Sequence, residues 1–205
     1  MTRPPTRLVA AGVVALAAFA VLVALGSWQV QRLGWKRTLI AQVEARVHAA
    51  PVAAPGPAEW AGIDAASAQY RRVRLSGRYL DAQALVQAST VRGPGWWVLT
   101  PLRTTAGFTV LVNRGYVPQR RAPAPPVGPV TVTGLLRITE PGGAFLRSND
   151  PAGDRWYSRD VAAIAQAKRL GTVAPYFVDA DAASSPAPGP VGGLTVIAFP
   201  NNHLA

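Results

Sequence analysis

Two histidines, His48 and His203, are the only imidazoles among the 205 residues, and there is no cysteine. Their separation argues against a conventional histidine cluster around a metal. The missing thiols remove disulfides, Cys-ligated zinc, iron–sulfur clusters, covalent haem attachment and thiolate copper. A single imidazole can still donate a lone pair to a metal, although a lone histidine more commonly makes hydrogen bonds or sits at an interface. The residues alone leave both roles open. A second group is Trp28, Arg32 and Trp35, whose spacing places two aromatic rings and one cation on one helical face. Interface anchoring for the tryptophans and headgroup contact for Arg32 are the simpler uses of that face. A third group is Leu111-Val-Asn113-Arg114-Gly115-Tyr116-Val117-Pro118, expected as a strand running into a turn. There Gly115 supplies an unusual backbone angle, and Arg114 either locks the corner through carbonyls or touches a ligand. No G-x-S-x-G, H-E-x-x-H or P-loop pattern occurs, and the ten acidic residues are scattered without a credible acid–base pair. The chain does not read as an enzyme.

The elements that must carry these residues begin with an anchor. No residue between Arg7 and Arg32 is charged. Ten strongly apolar residues from Leu8 to Leu25, at roughly −0.5 kcal/mol each, favour insertion by about −5 kcal/mol. A helix from Leu8 to Trp28 is about 31 Å long at about 1.5 Å per residue, matching a hydrocarbon core. A cleaved signal peptide is the competing reading, but the run exceeds the usual apolar region and no small-x-small site ends it. The organisation expected is a cytoplasmic tail over 1–7, a transmembrane helix over 8–28, a juxtamembrane helix over 29–50, a β-rich domain over 51–200, and the start of a further membrane segment over 201–205. Leu33, Ile40 and Val47 recur at seven and carry the helix on until Pro51–Pro57 stops it.

Beyond that point β-branched and aromatic runs bounded by Gly and Pro predict strands around Val73–Gly77, Leu85–Val86, Trp97–Leu102, Phe108–Val112, Val130–Ile138 and Leu194–Phe199. Val73-Arg-Leu75-Ser-Gly77 is echoed by Val130-Thr-Val132-Thr-Gly134, either by chance or because two similar β units share a sheet. One helix is expected after Ser158, with Ser158 as its cap, Asp160 in its first turn and Gly171 at its end. Pro-rich stretches at Ala122–Pro129 and Pro186–Pro190 read as loops. The fold class is a membrane-anchored α+β protein: one N-terminal transmembrane helix, then a mainly antiparallel β domain with one or two helices.

The net charge is +11, carried almost entirely by arginine. Such a balance suits phospholipid headgroups, nucleic acid or a carboxylate-bearing ligand, or reflects a G+C-rich genome. Nucleic acid is disfavoured because no strand interleaves aromatics with arginine across one face. By charge count alone, the sidedness of the anchor stays balanced or leans slightly to a cytoplasmic domain.

Five motifs, in order along the chain, resemble the surfeit locus protein 1 family. They are Gly26-x-Trp28-Gln-x-x-Arg32, Gly95-x-x-x-Leu99-x-Pro101-Leu102, Leu111-Val-Asn-Arg-Gly-Tyr-Val-Pro118, Pro175-Tyr-Phe-Val-Asp179 and Asn201-Asn-His-Leu204. The resemblance implies an assembly factor for haem-copper cytochrome c oxidase, without catalysis, that holds or delivers haem a to the large subunit. Its partners would be oxidase subunits, the machinery that makes or inserts haem a, and the lipid bilayer. The family's haem-linked histidine maps onto His203. Trp28, with Trp35, would then offer aromatic walls and Arg32 a propionate partner, because a second transmembrane helix is expected to follow Asn201-Asn-His-Leu204 at the same membrane face. The family pattern also implies a bacterial cell membrane location with the β domain extracytoplasmic. The alternative is a membrane-tethered scaffold that contacts oxidase subunits or anionic lipid without a cofactor.

Overall fold

The computed structural model describes residues 6–144, 146–185, 188–195 and 197, and these fall into two compact units that meet at Ala45 and Arg46. The first unit is most of one helix, α1, Thr6–His48. It is long and apolar enough to cross a membrane, and none of its most apolar window is buried inside the protein. Leu8, Val14, Leu16 and Leu22 are each exposed by two thirds or more (66–69%), as expected of side chains whose solvent is lipid. The predicted membrane and juxtamembrane helices thus form one uninterrupted element, ending just before Pro51.

The second unit is a small barrel. Its strands are β1 (Val52–Ala53), β2 (Arg72–Tyr79), β3 (Ala84–Thr90), β4 (Gly93–Thr104), β5 (Thr109–Val117), β6 (Val130–Ile138) and β7 (Val173–Ala180). Two short helices, α2 (Ala65–Ala68) and α3 (Val161–Ala167), complete it. The sheet order is β1-β2-β6-β7-β5-β4-β3, and an extra β2–β4 pairing closes β2, β6, β7, β5 and β4 into a ring. All pairings are antiparallel except β1–β2 and β5–β7. Inside the ring lie Val73, Leu75, Leu102, Val110, Val112, Val132, Leu136, Tyr176 and Val178. A second apolar layer, with Leu99, Leu111, Trp156, Ile164 and Phe177, lies outside the wall under β3 and α3. Every residue of β5 is buried because both of its faces are covered.

The echoed segments turn out to be partners. Val73–Gly77 of β2 runs antiparallel to Val130–Gly134 of β6, with Leu75 opposite Val132, and the Ser76 and Thr131 hydroxyls are 3.0 Å apart. Each segment ends in a glycine at a point where the strand takes on a second neighbour. At Gly77, β2 also begins to pair with β4; at Gly134, β6 begins to pair with β7. A Cβ at Gly77 would strike the Arg103 carbonyl, and one at Gly134 the Asp179 carbonyl. These glycines are the corners that let a short sheet curl shut.

Several local expectations are corrected. The segment Leu111–Pro118 is not a strand entering a turn: β5 continues to Val117 through a bulge, because Arg114 and Gly115 together oppose one residue of β4. The cap of α3 is Asp160, whose carboxylate accepts from the Ala163 N–H at 3.1 Å; Ser158 is buried and accepts instead from Gly143 N–H and the Asn149 amide, each at 3.0 Å. That helix ends at Ala167 with Lys168 as its C-cap, and Arg169, at φ 54°, turns the chain two residues before Gly171. Leu194, Thr195 and Ile197 lie in no strand, and the rest of the predicted Leu194–Phe199 strand is outside the described residues. The strand β7 was visible in the sequence only as a motif.

Gly134→Ala or Gly77→Ala should therefore destabilise the barrel by about 3 kcal/mol or more, since the neighbour that must move is backbone. Gly62→Ala, with open space around its Cβ, should stay within about 0.5 kcal/mol. Urea unfolding of the three variants measures the difference; equal midpoints would remove the corner role.

Candidate functional site

Two of the motif segments, Leu111–Pro118 and Pro175–Asp179, meet at one carboxylate. Asp179, at the end of β7, is 4% exposed and accepts four hydrogen bonds. One oxygen takes the Asn113 side-chain amide at 2.8 Å and Arg159 Nη1 at 3.3 Å; the other takes Arg137 Nη1 and the Thr195 hydroxyl, each at 3.0 Å. Arg159 also grips Glu140 through two bonds, at 2.9 and 2.6 Å, and its guanidinium lies 4.7 Å from the Phe177 ring centroid. Arg137 lies 5.0 Å from the Tyr70 ring and reaches Glu140 at 3.5 Å. Two guanidiniums thus face two carboxylates, and the cluster is neutral. Burial pulls the Arg159 pKa down most strongly of any single influence, yet Asp179 and Glu140 outweigh it, and the pKa is raised. Sequence reasoning missed this cluster because its members lie far apart along the chain.

Asn113 connects the cluster to the bulge. Its side-chain oxygen accepts the Gly115 N–H at 3.1 Å, while its amide holds Asp179. Gly115 then adopts φ +129°, and its bare face receives the backbone of Val191 and Gly192, which a Cβ would strike. Next to it, Tyr116 and Val191 exchange two backbone hydrogen bonds of 2.9 Å, and Gly193 N–H donates to Ala180 at 3.0 Å. Together with Thr195, these bonds clasp the segment that leads to the chain's last residues. A cavity of about 200 Å³ opens here, lined by Trp97, Asn113, Gly115, Arg159, Asp179 and Thr195 among others. It is below the roughly 300 Å³ at which small-molecule pockets begin. Asp179, with four donors already satisfied, has no capacity left to act as a base. The arrangement is a clamp.

Arg114, the centre of the bulge, takes the first of the two roles foreseen for it. The Pro-rich loop has few N–H groups of its own, and Arg114 donates to its carbonyls at Pro123 (3.2 Å) and Ala124 (3.3 Å). Its guanidinium lies 5.6 Å from the Tyr79 ring. Burial lowers the Arg114 pKa. Burial likewise pushes the Tyr79 hydroxyl up to about 12, against the opposing pull of Arg114. The other motif residues have equally local work: a Cβ at Gly95 would hit the Tyr116 ring, and the Tyr176 hydroxyl donates to Pro55 at 2.7 Å inside the barrel.

Of the residues singled out for a cofactor, Trp28 and Arg32 lie on α1, with the Arg32 guanidinium 5.3 Å from the Trp28 ring centroid. Trp28 is 50% and Trp35 63% exposed. His203 is outside the described residues, and His48 is the last residue of α1. Among the described residues no group of three or more His, Asp or Glu side chains could hold a metal ion.

Among the described residues, one apolar helix of membrane-spanning length and a small closed barrel define a membrane-anchored α+β protein. The chain belongs to the SURF1 family, whose model matches residues 16–205. It is 36% identical to Surfeit locus protein 1 of Rattus norvegicus over 203 aligned positions, which cover 88% of this chain and 64% of that protein. The corresponding protein of Homo sapiens is 34% identical over 88% of this chain and 66% of its own length. A SURF1-like protein of Monosiga brevicollis is 35% identical over 88% and 74%. The chain thus spans about 64% of the length of the rat relative it matches.

Two predictions come from this geometry. Asp179→Asn leaves Arg137 and Arg159 buried with one carboxylate between them and should cost about 3–5 kcal/mol, whereas Thr195→Val removes one bond and should cost about 1 kcal/mol. Denaturant midpoints that are equal for the two variants would contradict the clamp. Separately, Tyr79 has a folded pKa of about 12 against the ordinary 10.0. Its contribution to stability is fully present below pH about 10 and is lost as pH rises through about 12. Burial also raises Tyr176, so ultraviolet titration of the folded protein should show two late tyrosines, the earlier of which disappears in Tyr79→Phe.

Proposed function

We propose that this chain is an assembly factor for haem-copper cytochrome c oxidase, acting at a membrane to hold haem a or pass it to the large subunit, with no catalysis of its own. Membership in the SURF1 family is the observation that carries this reading. The membrane-spanning length of α1 fits a protein that works on a membrane enzyme. In this proposal His203 would hold the haem iron through its imidazole, Trp28 would offer an aromatic wall, and Arg32 would offer a cation for a propionate. The pairing of Arg32 with Trp28 supports that division, since it sets a cation beside an exposed ring on one helix. A ligand site next to lipid would also bury the long apolar tail of haem a at about 0.8 kcal/mol per CH₂. A single protein ligand would suit a carrier that must release its cargo. The setting proposed is a bacterial cell membrane with the barrel extracytoplasmic, and the partners are oxidase subunits and the machinery that makes or inserts haem a.

A second reading, a tethered scaffold that binds no cofactor, is favoured by the barrel itself. Its buried Asp179 carboxylate is saturated internally, and the cavity beside it is too small for a macrocycle. The two readings separate in full-length protein purified from cells that make haem a. The carrier reading expects a Soret band that is lost or shifted in His203→Ala, with membrane insertion and barrel unfolding unchanged. A colourless wild-type protein would instead establish the scaffold, and an unaltered spectrum in the variant would exclude His203 as the ligand.

A further inference from the structure

Outside the barrel wall, next to β3, a groove of about 300 Å³ is lined by Gln87, Trp96, Arg120, Arg147, Arg155 and Tyr157 among others. Its arginines are unequally matched. Arg155 has a carboxylate partner, Asp150, at 2.6 Å. Arg120 donates at 2.7 Å to the backbone carbonyl of Asp154, whose carboxylate is taken by Lys168 at 2.9 Å and the Trp156 indole at 2.7 Å. Arg147 donates to the Gln87 side-chain carbonyl at 3.0 Å and lies 5.5 Å from the Tyr157 ring centroid. Three guanidiniums therefore share a groove in which, among the described residues, one is paired with an acid. The other two rest on neutral acceptors that an anion would outcompete, because charge-assisted bonds are roughly twice as strong.

The shape of the groove narrows the choice of anion. The strand β3 is last on its side of the sheet. An extended stretch already leans on its edge, with Val86 bridged to Trp156 and the Gln87 N–H donating to Trp156 at 2.8 Å. Beside Arg147, Leu146 is 88% exposed and held at φ +60°, a backbone conformation that leucine rarely adopts. An apolar side chain displayed next to unmatched arginines suits a ligand with both carboxylates and an apolar residue. A bilayer surface is flat on this scale and meets guanidiniums within a groove poorly, whereas an extended peptide can lie along it.

We propose that this groove docks an acidic, extended segment of a partner protein, with its carboxylates on Arg120 and Arg147 and an apolar side chain against Leu146. The proposal is independent of haem binding. It can be tested by fluorescence anisotropy on the full-length protein in detergent at low salt, where screening is weak. The probe is a labelled Ser-Glu repeat peptide with one central leucine, compared with its Ser-Gln counterpart. The Glu peptide should bind at least about tenfold more tightly than the Gln peptide. Arg120→Gln with Arg147→Gln should weaken it by about the same factor. Arg74→Gln with Arg78→Gln, an equal loss of charge at two other exposed arginines, should leave affinity within about twofold, and near-ultraviolet circular dichroism confirms that each variant is folded. Equal losses from both double variants, or no preference for the Glu peptide, would overturn the proposal. Arginine-dependent binding of dioctanoyl phosphatidylglycerol without binding of the peptide would replace it with a headgroup surface.

Discussion

Asp179 places a carboxylate in the wall of a barrel, where an unpaired charge would cost several kcal/mol, and much of the surrounding structure answers that demand. Four donors reach it from four places in the chain: the β5 bulge, β6, the stretch before α3, and the segment after β7. Three of these donors are held by something else in turn. Asn113 is oriented by Gly115, Arg159 by Glu140 and the Phe177 ring, and Arg137 by the rings of Tyr70 and Phe177. The carboxylate is thus a joint at which otherwise separate loops and strands are tied together. Its saturation also explains why the cluster belongs to architecture rather than to chemistry.

Barrel closure imposes the second constraint. Five short strands must curl until the outer ones meet, and backbone has to approach backbone wherever a strand acquires a new neighbour. Gly77 and Gly134 stand at two such points. Gly115 serves a related purpose, because the bulge in β5 turns Arg114 toward the Pro-rich loop and exposes a bare backbone face to Val191 and Gly192. Placing the Asn-Arg-Gly motif in a bulge instead of a turn makes it a hub between the barrel wall and the chain's last segment.

Arginine abundance resolves into distinct tasks. Arg137 and Arg159 neutralise the buried Asp179, Arg114 supplies hydrogen bonds to a loop poor in donors, and Arg120 and Arg147 stay at the surface on neutral acceptors. The net charge of +11 consequently says less about ligands than the location of its uncompensated part.

Period and punctuation made the long helix, five of the strands and the loops legible from the residues alone, because each depends on neighbours within a few positions. An uncharged run of Leu, Val and Ala can satisfy its backbone only as a helix in lipid, and alternating Val, Leu and Thr between glycines has one economical use. The motifs that carry family membership were equally legible, whereas the residues left Arg114 open between carbonyls and a ligand until the structure set it against the Pro-rich loop. What the residues could not disclose was any property that depends on which distant segments meet. The bulge at Arg114–Gly115 appears only once β4 sets the register of β5. Asp160 replaces Ser158 as a cap because Gly143 and Asn149 claim the serine hydroxyl. Glu140, Arg159 and Asp179 looked scattered in one dimension and became a cluster when β6, β7 and the stretch before α3 packed together. Local pattern reports the conformation a segment prefers. The fate of a charge is decided by the donors that closure of the barrel brings to it.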